Sequence, residues 1–290
     1  MVAAMKNNKA GQKALKHYTN ESLFEGLSYY KMVGETYHSR RLKKKMHRSI
    51  ERFVKNSSQK TFEVLDIGCD TGTDLFMFPK IADATFHRTG TDVSAGAISQ
   101  AQNLAKKRGE KDITFKVADA NKKQPFKDNS FDIITSSELI EHIEDPVYLL
   151  NEMHRLLKPG GIAVISTPNE KSFQKFLMQK VLPKSMEKNL DDSRSVGFTR
   201  HGANTKLDHA DWDEEAHISI YGAKQWQGIV KKSKLNLKSM TGSAFYGGMP
   251  AFEDYPFVMG AMMILDSIID ILPSHPHFQT CVIMTLQKEN

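Results

Sequence analysis

The chain reads Val64-Leu65-Asp66-Ile67-Gly68-Cys69-Asp70-Thr71-Gly72-Thr73 at the point where a short apolar run meets a turn with two glycines. An apolar run of this length that ends in glycine is typical of a buried strand. Strands and helices then alternate. The predicted strands are 62–67, a second ending at 89–92, 113–117, 131–135 and 162–166; the helices between them are 73–82, 95–107 and 146–157. This alternation predicts right-handed βαβ units and a mainly parallel sheet.

The rest of the chain completes the prediction of a Rossmann-like α/β fold. A helix over 222–232 and strands over 235–241 and 280–287 bring the sheet to seven strands, with helices on both faces. We expect a flexible tail over 1–16, an N-terminal helical segment over 17–57 and one α/β domain over 58–290. Within that domain the polar stretch 169–216 predicts a lid or insertion after the fifth strand. Residues 243–275 are rich in Met and aromatic residues. We expect a substrate-side segment there, with packing in the core as the alternative.

Composition limits the class of protein. The 290 residues carry a net charge of +6 and two cysteines, Cys69 and Cys281, which form no metal-binding pair. A polar N-terminus does not resemble a signal peptide, so we expect a cytoplasmic protein. The apolar helix at 255–272 contains Asp266 and Asp270, which argues against a transmembrane segment. The basic balance permits peripheral contact with an anionic membrane or with nucleic acid, and proves neither.

Three acidic features stand at three successive strand ends, where open parallel sheets bind ligands. They are the loop Asp66–Gly72, Asp92 and Asp119. A carboxylate at Asp92 can accept both hydroxyls of a ribose, and Asp119 can accept from an adenine amino group. A pyrophosphate next to Asp70 would be repelled, and the Gly-x-Gly-x-x-Gly spacing of dinucleotide-binding loops is absent. The pattern favours a nucleoside with a cationic centre.

Residues 62–168 resemble the class I S-adenosylmethionine-dependent methyltransferases, in the branch that includes the ubiquinone-biosynthesis methyltransferases. The resemblance is carried by the segments 64–72, 90–94, 118–120, 125–132 and 156–161. It implies S-adenosylmethionine as cofactor. One residue departs from the family pattern, since Asp70 stands where the family usually has glycine.

The resemblance implies a set of cofactor-binding residues, which are Tyr37, Arg40, Asp66, Gly68, Cys69, Asp70, Thr71, Gly72, Asp92, Val93, Asp119, Ala120, Ser136 and Ser137. Tyr37 and Arg40 would reach the methionine end of the cofactor, where a guanidinium can form a forked contact with a carboxylate. The alternative for Arg40 is a surface arginine in a basic run.

The reacting centre is predicted after the fourth strand, at Glu138, Glu141 and His142. On a helical turn these three side chains share one face. A second candidate set, His209, Asp211 and His217, lies downstream. Glu138, Glu141, His142 and His217 together suit a divalent cation such as Mg²⁺ or Mn²⁺, which would activate an acceptor hydroxyl.

Two alternatives to the metal remain open. In the first, His142 acts with Glu141 as a catalytic base without a metal. In the second, both residues only hold the loop by hydrogen bonds. The Glu-x-x-Glu-His pattern resembles that of small-RNA 3′-end 2′-O-methyltransferases, and this resemblance implies a metal. The pattern also resembles that of the ubiquinone O-methyltransferases.

Three functions follow as hypotheses. The first is transfer of a methyl group to a small-molecule or lipid acceptor through an oxygen nucleophile. The second is RNA 2′-O-methylation, against which stands the absence of an RNA-binding signature in the sequence. The third is a non-catalytic interaction protein that binds the cofactor.

Overall fold

Seven strands and six α-helices make up the part of the chain that the computed structural model describes, namely residues 29–172, 220–244, 256–269, 276 and 278–289. The helices are α1 Tyr29–Lys55, α2 Thr73–Phe76, α3 Ala95–Arg108, α4 Pro146–Leu156, α5 Ala223–Val230 and α6 Pro256–Ile269. The strands are β1 Thr61–Ile67, β2 Thr85–Asp92, β3 Ile113–Val117, β4 Phe131–Ser137, β5 Leu157–Pro168, β6 Asn236–Gly242 and β7 Cys281–Gln287. A short 3₁₀ turn, Ile140–His142, follows β4.

The strands form one sheet in the order β3-β2-β1-β4-β5-β7-β6. All neighbours are parallel except β7, which runs antiparallel to β5 and β6. The predicted Rossmann-like, mainly parallel sheet is therefore confirmed. The strand order reverses between β1 and β4, and a crevice opens outside the carboxyl ends of strands at such a switch point.

Two apolar clusters cover the two faces of the sheet, as predicted. On one face α1 buries Leu42, Met46, Ile50 and Val54, spaced four residues apart, together with side chains of α3. On the other face α4 and α5 pack around the fully buried Trp226. A helix that presents one apolar stripe to a sheet leaves its remaining faces in solvent.

Several predicted boundaries are wrong. The helix expected over 73–82 ends at Phe76, because Pro79 disfavours helical geometry at the residue before it and cannot donate to the helix. The fourth strand continues to Ser137 instead of 135. The fifth strand begins at Leu157, so the Lys-Pro-Gly-Gly segment is extended, with a register irregularity against Phe131 and Ile133.

A charged network around Arg155, at the end of α4, lies near the amino end of β4, away from the switch-point crevice. Its guanidinium donates to both carboxylate oxygens of Glu152, at 2.6 and 2.8 Å, and to Asp128. It also donates to the backbone carbonyls of Phe126 and Gln124. Burial alone would raise the pKa of Glu152, but the donors Arg155 and Gln124 N–H outweigh it and the pKa is lowered.

Parts of the predicted domain plan lie outside the described residues. These are the tail over 1–16, residues 17–28 of the N-terminal helical segment, all but the first four residues of the insertion over 169–216, and about half of the segment 243–275. Within the described helices, none is both long and apolar enough to cross a membrane. Helix α6 occupies 14 residues of the apolar stretch predicted at 255–272.

Candidate active site

The loop after β1 turns back on itself through left-handed backbone. Gly68 has φ +76° and Gly72 has φ +81°. Gly68 and Cys69 both donate their backbone N–H to the Thr91 carbonyl, at 2.8 and 2.9 Å, which ties the loop to the end of β2. Asp70 is also left-handed, with φ +48°. Asp adopts this conformation more readily than most residues, so the loop keeps a left-handed residue where the family usually has glycine.

Both glycines are also required by packing. A Cβ on Gly72 would lie 2.7 Å from two ring carbons of Phe115, and one on Gly68 would lie 2.9 Å from Leu139. The space where a Cβ would point is filled by protein side chains, so both glycines let the loop turn and pack.

Asp92 is the centre of the site. It ends β2, is 8% exposed, and accepts the Asp70 N–H on Oδ2 at 2.9 Å and the Ser94 N–H on Oδ1 at 2.8 Å. Burial raises its pKa, although these N–H donors partly oppose the effect. Each carboxylate oxygen has two lone-pair sites, so both keep acceptor capacity. The carboxylate is thus held in one orientation while still able to bind a pair of hydroxyls.

Asp119 lies next to Asp92, because the Ala118 N–H donates to the Asp92 carbonyl at 2.9 Å. One carboxylate oxygen of Asp119 accepts the Asn121 N–H, and the other is 3.0 Å from Lys122 Nζ. Lys122 is mostly in solvent, so this ion pair is weak and can rearrange when a ligand donates to Asp119.

The loop lies in a negative electrostatic potential. The pKa of the Cys69 thiol is raised, first by burial and then by the charges of Asp66, Asp92 and Asp70. Three carboxylates therefore act on one point of the loop. Such a site disfavours a pyrophosphate and favours a ligand that carries positive charge. This agrees with the interpretation of Asp70 made from the sequence.

A buried hydroxyl lies at the carboxyl end of β4. Ser136 is 0% exposed, and its Oγ has no hydrogen-bond partner among the residues that the structure describes. A buried polar atom without a partner is unfavourable unless a ligand or water satisfies it. Its strand neighbours differ, because Thr135 donates to Asp66 at 2.8 Å and Ser137 contacts the Met46 sulfur at 3.5 Å. Ser136 is therefore the hydroxyl of these three that keeps its full hydrogen-bonding capacity.

Glu138 turns the chain sharply after β4, with φ +53°. Its N–H donates to the Ser166 carbonyl, and Ser166 Oγ donates to Glu138 Oε1 at 2.9 Å. The Cys281 thiol lies 3.8 Å from Glu138 Oε2. Burial, followed by the charge of Glu138, raises the pKa of Cys281 well above its ordinary value, so it stays protonated. Glu138 is therefore directed toward β5 and β7.

The 3₁₀ turn holds the other two candidates. Glu141 is 1% exposed, and His142 is half-buried at the end of the same turn. The sequence predicted one helical turn that would present three side chains on a common face. The left-handed backbone at Glu138 interrupts that turn.

Comparison with known proteins places this geometry in a family. Residues 58–232 match the family described as a methyltransferase domain. A ubiquinone/menaquinone biosynthesis C-methyltransferase of Bdellovibrio bacteriovorus is 39% identical over 142 residues, covering 46% of this chain and 59% of that protein. A ubiquinone biosynthesis O-methyltransferase of Paracidovorax citrulli is 33% identical over 110 residues, covering 37% and 43%.

This chain belongs to the class I S-adenosylmethionine-dependent methyltransferases. It spans only about half the length of the curated relatives it matches. Among solved structures, a phosphoethanolamine N-methyltransferase 2 of Haemonchus contortus in complex with S-adenosyl-L-methionine has the same fold. It superposes with a TM-score of 0.53 at 17% identity and covers 83% of this chain and 51% of that one.

The metal site predicted from the sequence is not found among the described residues. The described residues contain no group of three or more His, Cys, Asp or Glu side chains arranged to hold a metal ion. Glu138, Glu141 and His142 are all described, whereas His217, His209 and Asp211 lie outside the described residues. The metal hypothesis is thus not supported by the residues that can be seen.

At the methionine end, the side chain of Tyr37 lies outside the described residues. Arg40 is exposed, on the face of α1 turned away from the sheet, which favours its alternative interpretation as a surface arginine. Sequence reasoning missed Lys43, which is buried and forms an ion pair with Asp74 in the first turn of α2. Its position three residues before Met46 and seven before Ile50, on the buried face of α1, was a signal available in the sequence.

Proposed function

We propose that this methyltransferase transfers a methyl group from S-adenosylmethionine to a small-molecule or lipid acceptor through an oxygen nucleophile. The observation that carries the cofactor assignment is the pinned carboxylate of Asp92 inside the negative potential of the β1 loop. Bound S-adenosylmethionine supplies an electrophilic methyl carbon on a cationic sulfur.

The residues of this chain bind and orient. Asp92 accepts the two ribose hydroxyls as charge-assisted hydrogen bonds. Asp119, released from Lys122, accepts the adenine amino group, and the Ser136 hydroxyl donates to the ligand at the end of β4. Val93 and Ala120 flank the two aspartates. The carboxylates of the loop favour the positive charge of the donor over any phosphate-bearing nucleotide.

The acceptor oxygen needs a base, because a neutral hydroxyl is a poor nucleophile. We assign this role to His142, which is half-buried at the end of the 3₁₀ turn. It would take the acceptor proton as the methyl group is transferred. Glu141 precedes it in the same turn and is buried, so its charge would favour the protonated imidazole that results. Holding acceptor and methyl carbon close together supplies much of the remaining acceleration.

The acceptor class rests on the relatives. Their names assign methyl transfer to carbon in one and to oxygen in another, both in ubiquinone biosynthesis. Both names concern ubiquinone biosynthesis, which supports an apolar acceptor with a phenolic or quinol hydroxyl, although other relatives are named as phosphoethanolamine N-methyltransferases. Metal activation of that hydroxyl is kept as the competing hypothesis, because one of its predicted ligands, His217, lies outside the described residues.

The test is methyl transfer from S-adenosylmethionine to a panel of catechols, quinols, amines, thiols and a short RNA, detected as the mass of one added methyl group. We expect transfer to a hydroxyl of an apolar phenol or quinol. His142→Gln should lower kcat about a hundredfold and leave S-adenosylhomocysteine affinity unchanged. The matched control is His154→Gln, a half-buried histidine of α4 in the Arg155 region, which should not change kcat.

Other results would overturn the proposal in distinguishable ways. Transfer to RNA alone would favour the nucleic-acid hypothesis. Tight binding of S-adenosylhomocysteine without transfer to any acceptor would favour a non-catalytic protein. Loss of activity on chelation with EDTA, restored by Mg²⁺ or Mn²⁺, would replace the metal-free base with the metal hypothesis.

A further inference from the structure

A continuous basic stripe runs along the solvent face of α1. Arg40, Lys44, Arg48 and Arg52 are four residues apart, and all four are exposed. At 1.5 Å per residue the stripe is about 18 Å long. Between residues 39 and 55 the helix carries eight Lys and Arg residues but one acidic residue, Glu51. The cations are therefore not neutralised along the helix itself.

An apolar stripe is exposed on α6. Ile264, Leu265 and Ile268 are 65%, 47% and 55% exposed, and Ala261 is exposed one turn earlier. Spacings of three and four residues put these side chains on one face. Asp266, on the opposite face, is 1% exposed. A contiguous group of large apolar side chains in water marks an interaction surface.

Arg41 joins α1 to α6, and Lys45 ties α1 to the end of β6. Arg41, which follows the first cation of the stripe, lies 3.3 Å from the Asp266 carboxylate through Nε and donates through Nη2 to the Asp266 carbonyl. Lys45, which follows the second cation, donates to the Gly242 carbonyl at the end of β6. Helix α6 is thus tied to the Arg41 end of α1 by its polar face, and its apolar side chains are exposed on the side away from Asp266.

We propose that the basic stripe of α1 and the apolar stripe of α6 together form a docking surface for an anionic lipid bilayer. Cations beside exposed Ile and Leu match the two layers of such a surface, anionic headgroups and acyl chains. A nucleic acid would match the cations and leave the apolar stripe in water. The surface does not depend on the proposed methyl transfer, although it would bring an apolar acceptor to the enzyme.

The experiment is co-sedimentation of the full chain with vesicles of phosphatidylcholine, with or without phosphatidylglycerol. Binding is expected only with phosphatidylglycerol and should weaken at high salt. The double variant Arg48→Glu and Arg52→Glu should lose at least about thirtyfold in vesicle affinity, because each cation near an anionic surface contributes about fivefold. The double variant Ile264→Ser and Ile268→Ser should also lose affinity, since it removes the side chains that enter the acyl region.

The matched control is the double variant Lys231→Glu and Lys232→Glu. It changes the net charge by the same amount at exposed positions after α5, which packs on the opposite face of the sheet. This control should bind vesicles as the wild type does. An equal loss in the control, or unchanged binding in the α1 variant, would overturn the proposal.

Self-association through the apolar stripe, detected by light scattering without any vesicle binding, would also overturn the membrane proposal. S-adenosylhomocysteine affinity is measured on every variant. It should stay unchanged, so that a failure of the membrane proposal is kept separate from a failure of the proposed catalytic function.

Discussion

Replacing Asp92 with Asn separates the cofactor role of this residue from its structural role. In the native protein the two carboxylate oxygens each accept one backbone N–H, from Asp70 and from Ser94. An amide nitrogen cannot accept, so one of these N–H groups loses its acceptor. A hydrogen bond to a charged group contributes about 1.5–3 kcal/mol, but the variant also avoids the cost of a buried charge. We expect a net loss of stability of about 1 kcal/mol.

The effect of Asp92→Asn on cofactor binding should be larger. The ribose hydroxyls lose a charged acceptor, and the loop loses one of its three carboxylates. Together these changes should cost about 3 kcal/mol of binding free energy, which is roughly a hundredfold in affinity. The measurement is calorimetric titration with S-adenosylhomocysteine, with urea denaturation of the same samples.

A second buried aspartate provides the control. Asp132 is also buried, and it accepts the Glu63 N–H at 2.8 Å and the Lys158 ammonium at 2.7 Å, but at the amino end of β4. Asp132→Asn should lose stability without losing cofactor affinity. A folded Asp92→Asn protein that binds as tightly as the wild type would refute the ribose assignment.

The same assignment makes cofactor binding pH-dependent. Burial raises the pKa of Asp92 in the free protein, and hydroxyl donors bind the ionised form. Affinity should therefore decrease as the pH falls through the raised pKa and stay constant above it. The Asn variant should lack this acid-side decrease. If both proteins show the same pH profile, another group titrates.

Three further substitutions test the loop and the distal network. Gly72→Ala should destabilise the fold by about 3 kcal/mol in urea denaturation, because φ is positive and the new Cβ meets the Phe115 ring; a loss below about 1 kcal/mol would contradict the packing argument. Asp70→Gly keeps the backbone N–H and should weaken S-adenosylhomocysteine binding less than Asp92→Asn does; an equal loss would give its side chain a direct role. Arg155→Gln should cost about 2 kcal/mol at neutral pH, below the value for a fully buried pair because Arg155 is 18% exposed. The cost of this substitution should shrink in acid. The pKa of Glu152 is lowered in the folded protein, so the ionised carboxylate stabilises the fold at pH values above the unfolded-state pKa, and this stabilisation is lost as Glu152 becomes protonated. A pH-independent cost would contradict the role of that carboxylate.

The placement of the three aspartates at one end of the sheet was predictable because its information is local in the sequence. Asp66 and Asp92 lie in the last two residues of predicted strands and Asp119 follows one by two residues, and the carboxyl ends of parallel strands meet at one end of the sheet. The bond from Ala118 to Asp92 and the bonds from the loop to Thr91 are consequences of that register. Asp70 could be recognised as a departure, but only its dihedral angle shows that the loop keeps the left-handed turn.

The acceptor side was less predictable because its partners are distant in the sequence. The spacing of Glu138, Glu141 and His142 predicts a shared face only if the backbone is helical throughout. The left-handed φ of Glu138 depends on Ser166 in β5 and is accompanied by contact with Cys281 in β7, which lies 143 residues away. No periodicity near residue 138 carries information about such a partner.

This difference explains why the family fixes the donor and leaves the acceptor open. The three aspartates proposed to bind the donor come from β1 and from the ends of β2 and β3, which are consecutive in the chain, so one short region contains them. The proposed acceptor side lies at the end of β4 near β5 and β7, and the antiparallel β7 enters the sheet only after a long excursion of the chain. Relatives can therefore share the donor side and differ on the acceptor side, in keeping with named methyl transfer to carbon in one and to oxygen in another. Glu138 follows β4 and contacts Ser166 of β5 and Cys281 of β7. Substitutions of Glu138 should therefore alter the choice of acceptor before they alter cofactor binding.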